Sequence, residues 1–133
     1  MHYRKLHRPT RLPDFEQAVW ALSETLVGEH RPAPAKDDMT GPVTRFLIEV
    51  QCGMPDHLRL AFRLLTLLFD AWPYLTAAKP FHALDPERRC AQIRAWERSR
   101  LEARRGFVTF YRSFAIYGLY SELYGAELRE PRD

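Results

Sequence analysis

Histidine and serine are the residues of this chain best suited to catalysis or metal binding, and their spacing supports neither. No two of the five histidines lie three or four residues apart, the spacing that places two metal ligands on one helix face. No serine has a neighbouring base, and the signatures of zinc peptidases, α/β-hydrolases, dinucleotide-binding folds and P-loop NTPases do not occur. We therefore expect no catalytic, cofactor-binding or metal-binding residue. The histidines are His2, His7, His30, His57 and His82.

The segment from Asp85 to Tyr124 has a composition that suits binding better than catalysis. Between residues 88 and 105, seven arginines stand against two glutamates, which gives a local charge of +5. Aromatic residues then recur three and four positions apart up to residue 124. Arginine and tyrosine are enriched at protein interfaces. This pattern predicts a partner interface that comprises Trp96, Arg100, Arg104, Tyr111, Tyr117 and Tyr120.

Three interpretations of the arginines remain open: a solvated helix face, a protein-binding surface, and a nucleic-acid site. The net charge is only +3, from 20 basic and 17 acidic residues, although residues 1–11 carry four basic side chains and no acid. A nucleic-acid site in residues 1–11 and 88–105 would use clustered cations to contact phosphates. The arginines of the second segment are instead spread around the helix and interrupted by Glu97 and Glu102, which disfavours nucleic acid.

The aromatic residues also allow more than one interpretation. Phe107, Phe110, Phe114 and Tyr117 share one helix face and predict a core stripe. The remaining tyrosines, which have one apolar and one polar end, are typical of an interface. An alternative function is a small helical protein or enzyme that binds an apolar ligand in a pocket between helices.

The hydrophobic pattern predicts the elements that must position these residues. It has helical periodicity, no useful β-alternation and no repeat, so we expect a single-domain, all-α bundle of four to five helices. Residues 1–13 form a basic irregular arm, residues 14–133 the helical domain, and residues 31–42 a loop. The third helix is apolar nearly all round and should lie at the centre. We expect Gly106 to break or kink the chain between the fourth and fifth helices. The predicted helices run from Asp14 to about Glu29, from Pro42 to Cys52, from Pro55 to Trp72, from Asp85 to about Arg105, and from Phe107 to Leu123.

The cysteines and the N-terminus bear on the compartment. Cys52 and Cys90 have no metal-type spacing and are interpreted as buried free thiols, which favours a reducing compartment. The N-terminus lacks the apolar region of a secretory signal, and no window is apolar enough to span a bilayer. We expect a cytoplasmic protein, or one that is exported only with a partner.

The order of the helices and three short motifs resemble a known family. The chain is similar to the small helical subunit of membrane-associated FAD dehydrogenases, the gluconate 2-dehydrogenase subunit 3 type. It also resembles the helical segment before the flavin domain in long-chain alcohol oxidases of the glucose–methanol–choline (GMC) oxidoreductase family. The motifs are Pro80-Phe81-x-x-Leu84-Asp85-Pro86-Glu87-Arg88, Ile93-Arg94-x-Trp96-Glu97-x-Ser99-Arg100 and Tyr117-Gly118-x-Tyr120-Ser121.

This resemblance implies a non-catalytic accessory subunit in a hetero-oligomer with a GMC-type FAD-dependent oxidoreductase. The flavoprotein large subunit would carry the FAD and the catalytic base, and the small chain would support its folding, stability or delivery. Small subunits of this type usually carry a twin-arginine export signal, which is not seen in this chain. The resemblance therefore implies a partner that is cytoplasmic or is exported by another route.

Overall fold

The computed structural model describes residues 12–29 and 35–129, and the side chains within 12–29 and 39–122. Over this part of the chain the fold is a single-domain bundle of five α-helices without strands, as predicted. The predicted basic arm lies almost wholly outside the described residues, since only its positions 12 and 13 are included. The helices are α1 (Phe15–Gly28), α2 (Ala35–Cys52), α3 (Asp56–Ala71), α4 (Pro86–Glu97) and α5 (Glu102–Arg129), with 3₁₀ turns at Trp72–Leu75 and Phe81–Ala83.

Two helix starts lie where the sequence predicts them, because each is set by a local hydrogen bond. Asp14 caps α1, and its carboxylate accepts a hydrogen bond from the backbone N–H of Gln17 at 2.8 Å. Asp85 caps α4 and accepts from the N–H of Arg88 at 3.0 Å, with Pro86 in the first helical position. A cap followed by a compatible first turn is sufficient to begin a helix.

The predicted start of the second helix is wrong. α2 begins at Ala35, so residues 35–41 are helical rather than part of a loop, and Pro42 lies inside the helix. A proline inside a helix removes one backbone hydrogen bond and is unfavourable, but the helix can continue through it when packing of the flanking turns offsets that loss.

The predicted boundary between the fourth and fifth helices is also wrong. α4 ends at Glu97, and α5 passes through Gly106 without interruption. The break lies at residues 98–101, where the Ser99 hydroxyl accepts a hydrogen bond from the N–H of Leu101 at 3.1 Å. Arg105 donates to the carbonyls of Ser99 and Arg100, each at 2.9 Å. These bonds satisfy backbone groups that a continuous helix would have paired.

The central helix is α1, not α3 as predicted. α1 contacts every other helix and buries a broad apolar face. α3 lies at the periphery, and only Thr66, Phe69 and Asp70 are buried along its length. The prediction rested on the number of apolar residues in α3, but that number does not determine which helix the other helices pack around.

Aromatic rings form the part of the core that joins α3, α4 and α5. The ring of Phe69 lies 4.6 Å from that of Phe81 and 4.8 Å from those of both Trp96 and Phe107, measured between centroids. These are the separations of favourable edge-to-face and tilted ring pairs. α4 therefore buries Ile93 and Trp96, while Cys90 is only half-buried.

The buried stripe of α5 is rotated by about one residue from the predicted one. Of the predicted stripe only Phe107 is fully buried, Phe110 and Phe114 are half-buried, and Tyr117 is exposed. α5 packs against α1, α2 and α4, and these neighbours set a rotation that the spacing of aromatic residues did not indicate. The observed stripe is Phe107, Val108, Tyr111, Ala115 and Leu119.

The two cysteines are free, but their predicted burial is wrong for Cys52, which is exposed at the end of α2. None of the helices in the described part of the chain combines the length and hydropathy that a bilayer crossing requires.

Candidate functional site

The outer side of α3 is the most unusual surface of the molecule because it is apolar and exposed. Leu60, Leu64 and Leu68 are four residues apart, so they lie on one side of the helix over successive turns. All three are exposed, as is Leu75 in the following 3₁₀ turn. We call these four residues the leucine face. Single exposed leucines are ordinary, but contiguous apolar patches mark interaction sites.

The inner side of α3 carries an aspartate that is completely buried. One carboxylate oxygen of Asp70 accepts hydrogen bonds from the backbone N–H of Asp14 at 3.0 Å and from Nδ1 of His82 at 2.7 Å. The other accepts from the backbone N–H of His82 at 3.0 Å. Asp70 thereby joins the end of α3 to the start of α1 and to the Phe81–Ala83 turn. A buried carboxylate requires such partners, so this contact fixes which side of α3 faces inward.

A second polar contact fixes α3 one turn earlier. The Tyr111 hydroxyl of α5 lies 2.7 Å from Oγ1 of Thr66 and accepts a hydrogen bond from Nε2 of Gln51 at 2.9 Å. Thr66 donates to the carbonyl of Phe62 at 2.7 Å, which makes Tyr111 the donor to Thr66. Burial raises the pKa of Tyr111 to about 12. This chain of hydrogen bonds links α2, α5 and α3.

A groove lies beside the leucine face, between the turn that follows α3 and one side of α4. Its volume is about 510 Å³, and its lining includes Trp72, Leu75, Ala91 and Ala95, with Arg88 among the lining residues of α4. Trp72 follows Leu68 by one helical turn, so the groove continues the apolar surface of α3.

Two of the six predicted interface residues lie in the core. Trp96 is 1% exposed and Tyr111 is 0% exposed, so both are core residues rather than exposed interface side chains, which corrects the prediction for both, although an edge of Trp96 reaches the floor of the groove. Trp96 packs edge-on against Phe69 and Trp72, and Tyr111 completes the hydrogen bonds with Thr66. Trp96 and Tyr111 therefore fill the interior of the bundle.

Arg104 lies beside the groove, and Arg100 lies in the segment between α4 and α5. The Arg104 guanidinium covers the ring of Trp72 at 4.5 Å and that of Trp96 at 5.3 Å, so its charge is stacked on two indoles. Arg100 is exposed in the segment between α4 and α5. The fold thus brings Arg104 together with the predicted Trp96.

The last two predicted residues lie on another part of the molecule. Tyr117 and Tyr120 are exposed on α5, and Tyr117 packs edge-on against Phe46 of α2 at 5.6 Å. Tyr117 is about 20 Å from Arg104 along the helix axis. The six predicted residues therefore do not form one continuous surface.

Sequence reasoning missed the leucine face because it assigned the whole third helix to the core. A signal was present, since Arg59, Arg63, Thr66 and Asp70 fall on one side of the helix and leave the opposite side apolar except for His57 in the first turn. Such a pattern normally predicts that the polar side faces water. In the structure Thr66 and Asp70 instead face the core, because their hydrogen-bond partners lie in the interior of the bundle.

No family model matches the sequence, and no curated protein or solved structure matches it either. Among the described residues, no cluster of three or more histidine, cysteine or acidic side chains is placed to hold a metal ion.

Proposed function

We propose that this chain is a non-catalytic accessory subunit that binds a larger protein through the leucine face of α3. The observation that carries the proposal is the orientation of α3, which buries Thr66 and Asp70 and exposes its leucines. Removing apolar surface from water contributes about 25 cal/mol per Å² to a complex, and this gain must exceed the entropy cost of association. Two polar contacts prevent α3 from rotating to bury these leucines within the chain, so a second protein is the natural cover.

The partner that we propose is a GMC-type FAD-dependent oxidoreductase, with the FAD in the partner. The support is the resemblance of the sequence motifs to small subunits of such enzymes. In the fold, Phe81 and Trp96 of these motifs are core residues and Asp85 is a helix cap. The motif residues thus support the bundle, and the resemblance supplies the class of partner.

The two alternative functions receive less support. An apolar-ligand pocket would need space along the aromatic helix, but Phe107 lies 5.3 Å from Trp96 and 4.9 Å from Tyr111, so ring contacts occupy that region. A nucleic-acid site would use clustered arginines to contact phosphates. Arg89 pairs with Glu24 at 2.8 Å and Arg104 is stacked on indoles, so two of the seven arginines of residues 88–105 are already engaged within the chain.

The test is affinity purification of the tagged chain from its native host at native expression. The wild-type chain should retain a protein of full oxidoreductase size that shows flavin absorbance. Leu64→Asp should reduce the recovery of that protein by at least about tenfold, equivalent to about 1.4 kcal/mol. Leu101→Asp is a matched control, because Leu64 and Leu101 are both 57% exposed and Leu101 is outside the leucine face.

The possible outcomes test two claims separately: that the leucine face is the binding surface, and that the partner is a flavoprotein. A retained protein without flavin that is lost in the Leu64→Asp variant would overturn the flavoprotein assignment and keep the surface. Equal recovery with both variants would overturn the surface. A folded, monodisperse wild-type chain recovered without any partner would sink the accessory-subunit proposal.

A further inference from the structure

We infer that the groove between α4 and the 72–77 turn receives an apolar helix of the partner that carries acidic side chains at its two ends. This inference rests on the proposed function, because the groove continues the leucine face. It adds the shape and the charge of the segment that binds.

The walls of the groove suit the close approach of a helix. Ala91 and Ala95 are both exposed, lie one turn apart on α4, and line the groove opposite Trp72 and Leu75. Helix axes can approach to the short end of the 8–10 Å range when the side chains at the contact are small. A recess of about 510 Å³ with apolar walls is filled by the side chains of a helix, whereas a flat membrane surface would leave it empty.

Arginines stand at both ends of the alanine pair. Arg88 lines the groove, and Arg98, which is not one of its lining residues, caps the C-terminus of α4 two turns after Ala91. Arg88, Ala91, Ala95 and Arg98 are spaced by three, four and three residues, so they occupy one side of the helix. Both arginines are exposed, and neither forms an ion pair with another residue for which a side chain is described.

No acidic residue of α4 lines the groove. Glu97 pairs with Arg112 of α5, and Glu87 lines a separate pocket together with Cys90 and Arg94. Arg88 and Arg98 are about 15 Å apart along the helix axis. Two carboxylates about ten residues apart on an apolar helix would match them.

The same charges argue against a second copy of this chain as the occupant. In a symmetric contact each copy presents the same surface, so the arginines of one groove would meet those of the other. Opposed like charges disfavour such a contact, whereas an acidic segment is attracted. The occupant is therefore a segment of a different protein.

The experiment uses the full chain and two synthetic helical peptides of about 18 residues, above the length at which isolated helices are marginal. Both have the same leucine and alanine ridge. One has glutamates ten residues apart at the groove ends, and the other has lysines there. Fluorescence anisotropy should show the glutamate peptide binding at least about tenfold more tightly, with a preference that falls as salt rises.

Four variants locate the site. Arg88→Glu combined with Arg98→Glu should reverse the preference toward the lysine peptide, and Ala95→Trp should reduce binding of both peptides by at least about tenfold. Arg94→Glu reverses one charge on the side of α4 that lines the other pocket, and should leave the preference unchanged, whereas Arg88→Glu alone should weaken it. Circular dichroism establishes that each variant is folded.

Equal binding of the two peptides, no binding of either, or a preference unaffected by the double charge reversal would overturn the inference. Binding of the chain to phosphatidylserine vesicles that displaces the glutamate peptide would assign the surface to a membrane and would also overturn it. None of these results depends on the purification test at Leu64, so the accessory-subunit proposal can stand when this inference fails.

Discussion

Helices α3 and α5 have opposite relations between composition and burial. α5 buries Phe107, Tyr111 and Leu119, and none of its described charged side chains is buried, the usual arrangement for an amphipathic helix. α3 buries Thr66 and Asp70 and exposes leucines on its outer side. The two helices meet through the Tyr111–Thr66 hydrogen bond. The comparison shows that a few polar anchors, rather than the number of apolar residues, decided how α3 faces the core.

Asp70 and Thr66 determine the orientation of α3 because exposing a leucine costs less free energy than burying a polar group without partners. An exposed leucine loses only the gain that burial would have given, roughly 1.5–3 kcal/mol when the side chain is otherwise fully buried. A buried carboxylate without partners is far more unfavourable. An orientation that satisfies Asp70 and exposes leucines is therefore preferred until a partner covers them.

The largest predicted effect is at the inner side of α3. Asp70→Ala should lower the free energy of unfolding by about 3–5 kcal/mol, because His82 and two backbone N–H groups lose their buried acceptor. Urea denaturation measures it. Asp56→Ala, at the exposed start of α3, should change stability by less than about 1 kcal/mol, since its pair with Arg59 is in solvent. Similar losses in the two variants would contradict the role assigned to the anchor.

The next effect concerns the contact between the two helices. Tyr111→Phe should lower the free energy of unfolding by about 1–3 kcal/mol, because Thr66 and Gln51 lose a buried partner. Tyr117→Phe removes an exposed hydroxyl from the same helix and should have little effect. A loss as large in the control would show that the buried hydrogen bonds are not its cause.

The same hydroxyl predicts a pH dependence. Its pKa is about 12 in the folded protein, above the value of 10.0 of a solvated tyrosine, so the folded state holds the proton more tightly. The Tyr111 contribution to stability is complete below pH 10 and is lost as the pH rises toward 12, by at most about 1.4 kcal/mol per pH unit. The stability advantage of the wild type over Tyr111→Phe should therefore shrink across this range in urea titrations. An advantage independent of pH would contradict the expectation.

Two glycines of α5 should give smaller effects of opposite sign. A Cβ at Gly118 would lie 2.7 Å from Cδ2 of Phe46, so Gly118→Ala should destabilise by about 1 kcal/mol after the gain in helix propensity. A Cβ at Gly106 would meet nothing within 4 Å, and Gly106→Ala should stabilise by about 0.5–1 kcal/mol. Melting temperatures should move in opposite directions. A shift of the same sign in both would show that α2 and α5 do not require the close approach at Gly118.

The smallest effect on stability is expected at the outer side of α3. Leu64→Asp should change the free energy of unfolding by no more than about 0.5 kcal/mol in the isolated chain, since the side chain is exposed. Urea denaturation of the isolated chain measures this. A loss of several kcal/mol would mean that Leu64 supports the fold, and the contrast between the two sides of α3 would disappear.

The sequence alone predicts features that depend on neighbouring residues. The caps at Asp14 and Asp85 were found from their own side chains, and helical periodicity gave the all-α class. The sequence does not predict the helix boundaries at which a residue that disfavours a helix is opposed by helix-favouring neighbours. The sequence predicts a helix start at Pro42 and a break or a kink at Gly106, whereas the chain is helical through both and the break between α4 and α5 lies near Ser99.

What the sequence determined by itself is therefore a set of helices and their caps. The tertiary structure decided which side of each helix faces inward. The partners of Asp70 and Thr66 that set this choice are the backbone N–H of Asp14, 56 residues away, and the hydroxyl of Tyr111, 45 residues away. Periodicity reports which residues share a side of a helix, but not which side the rest of the chain will contact. The exposed leucines of α3 follow from those distant contacts.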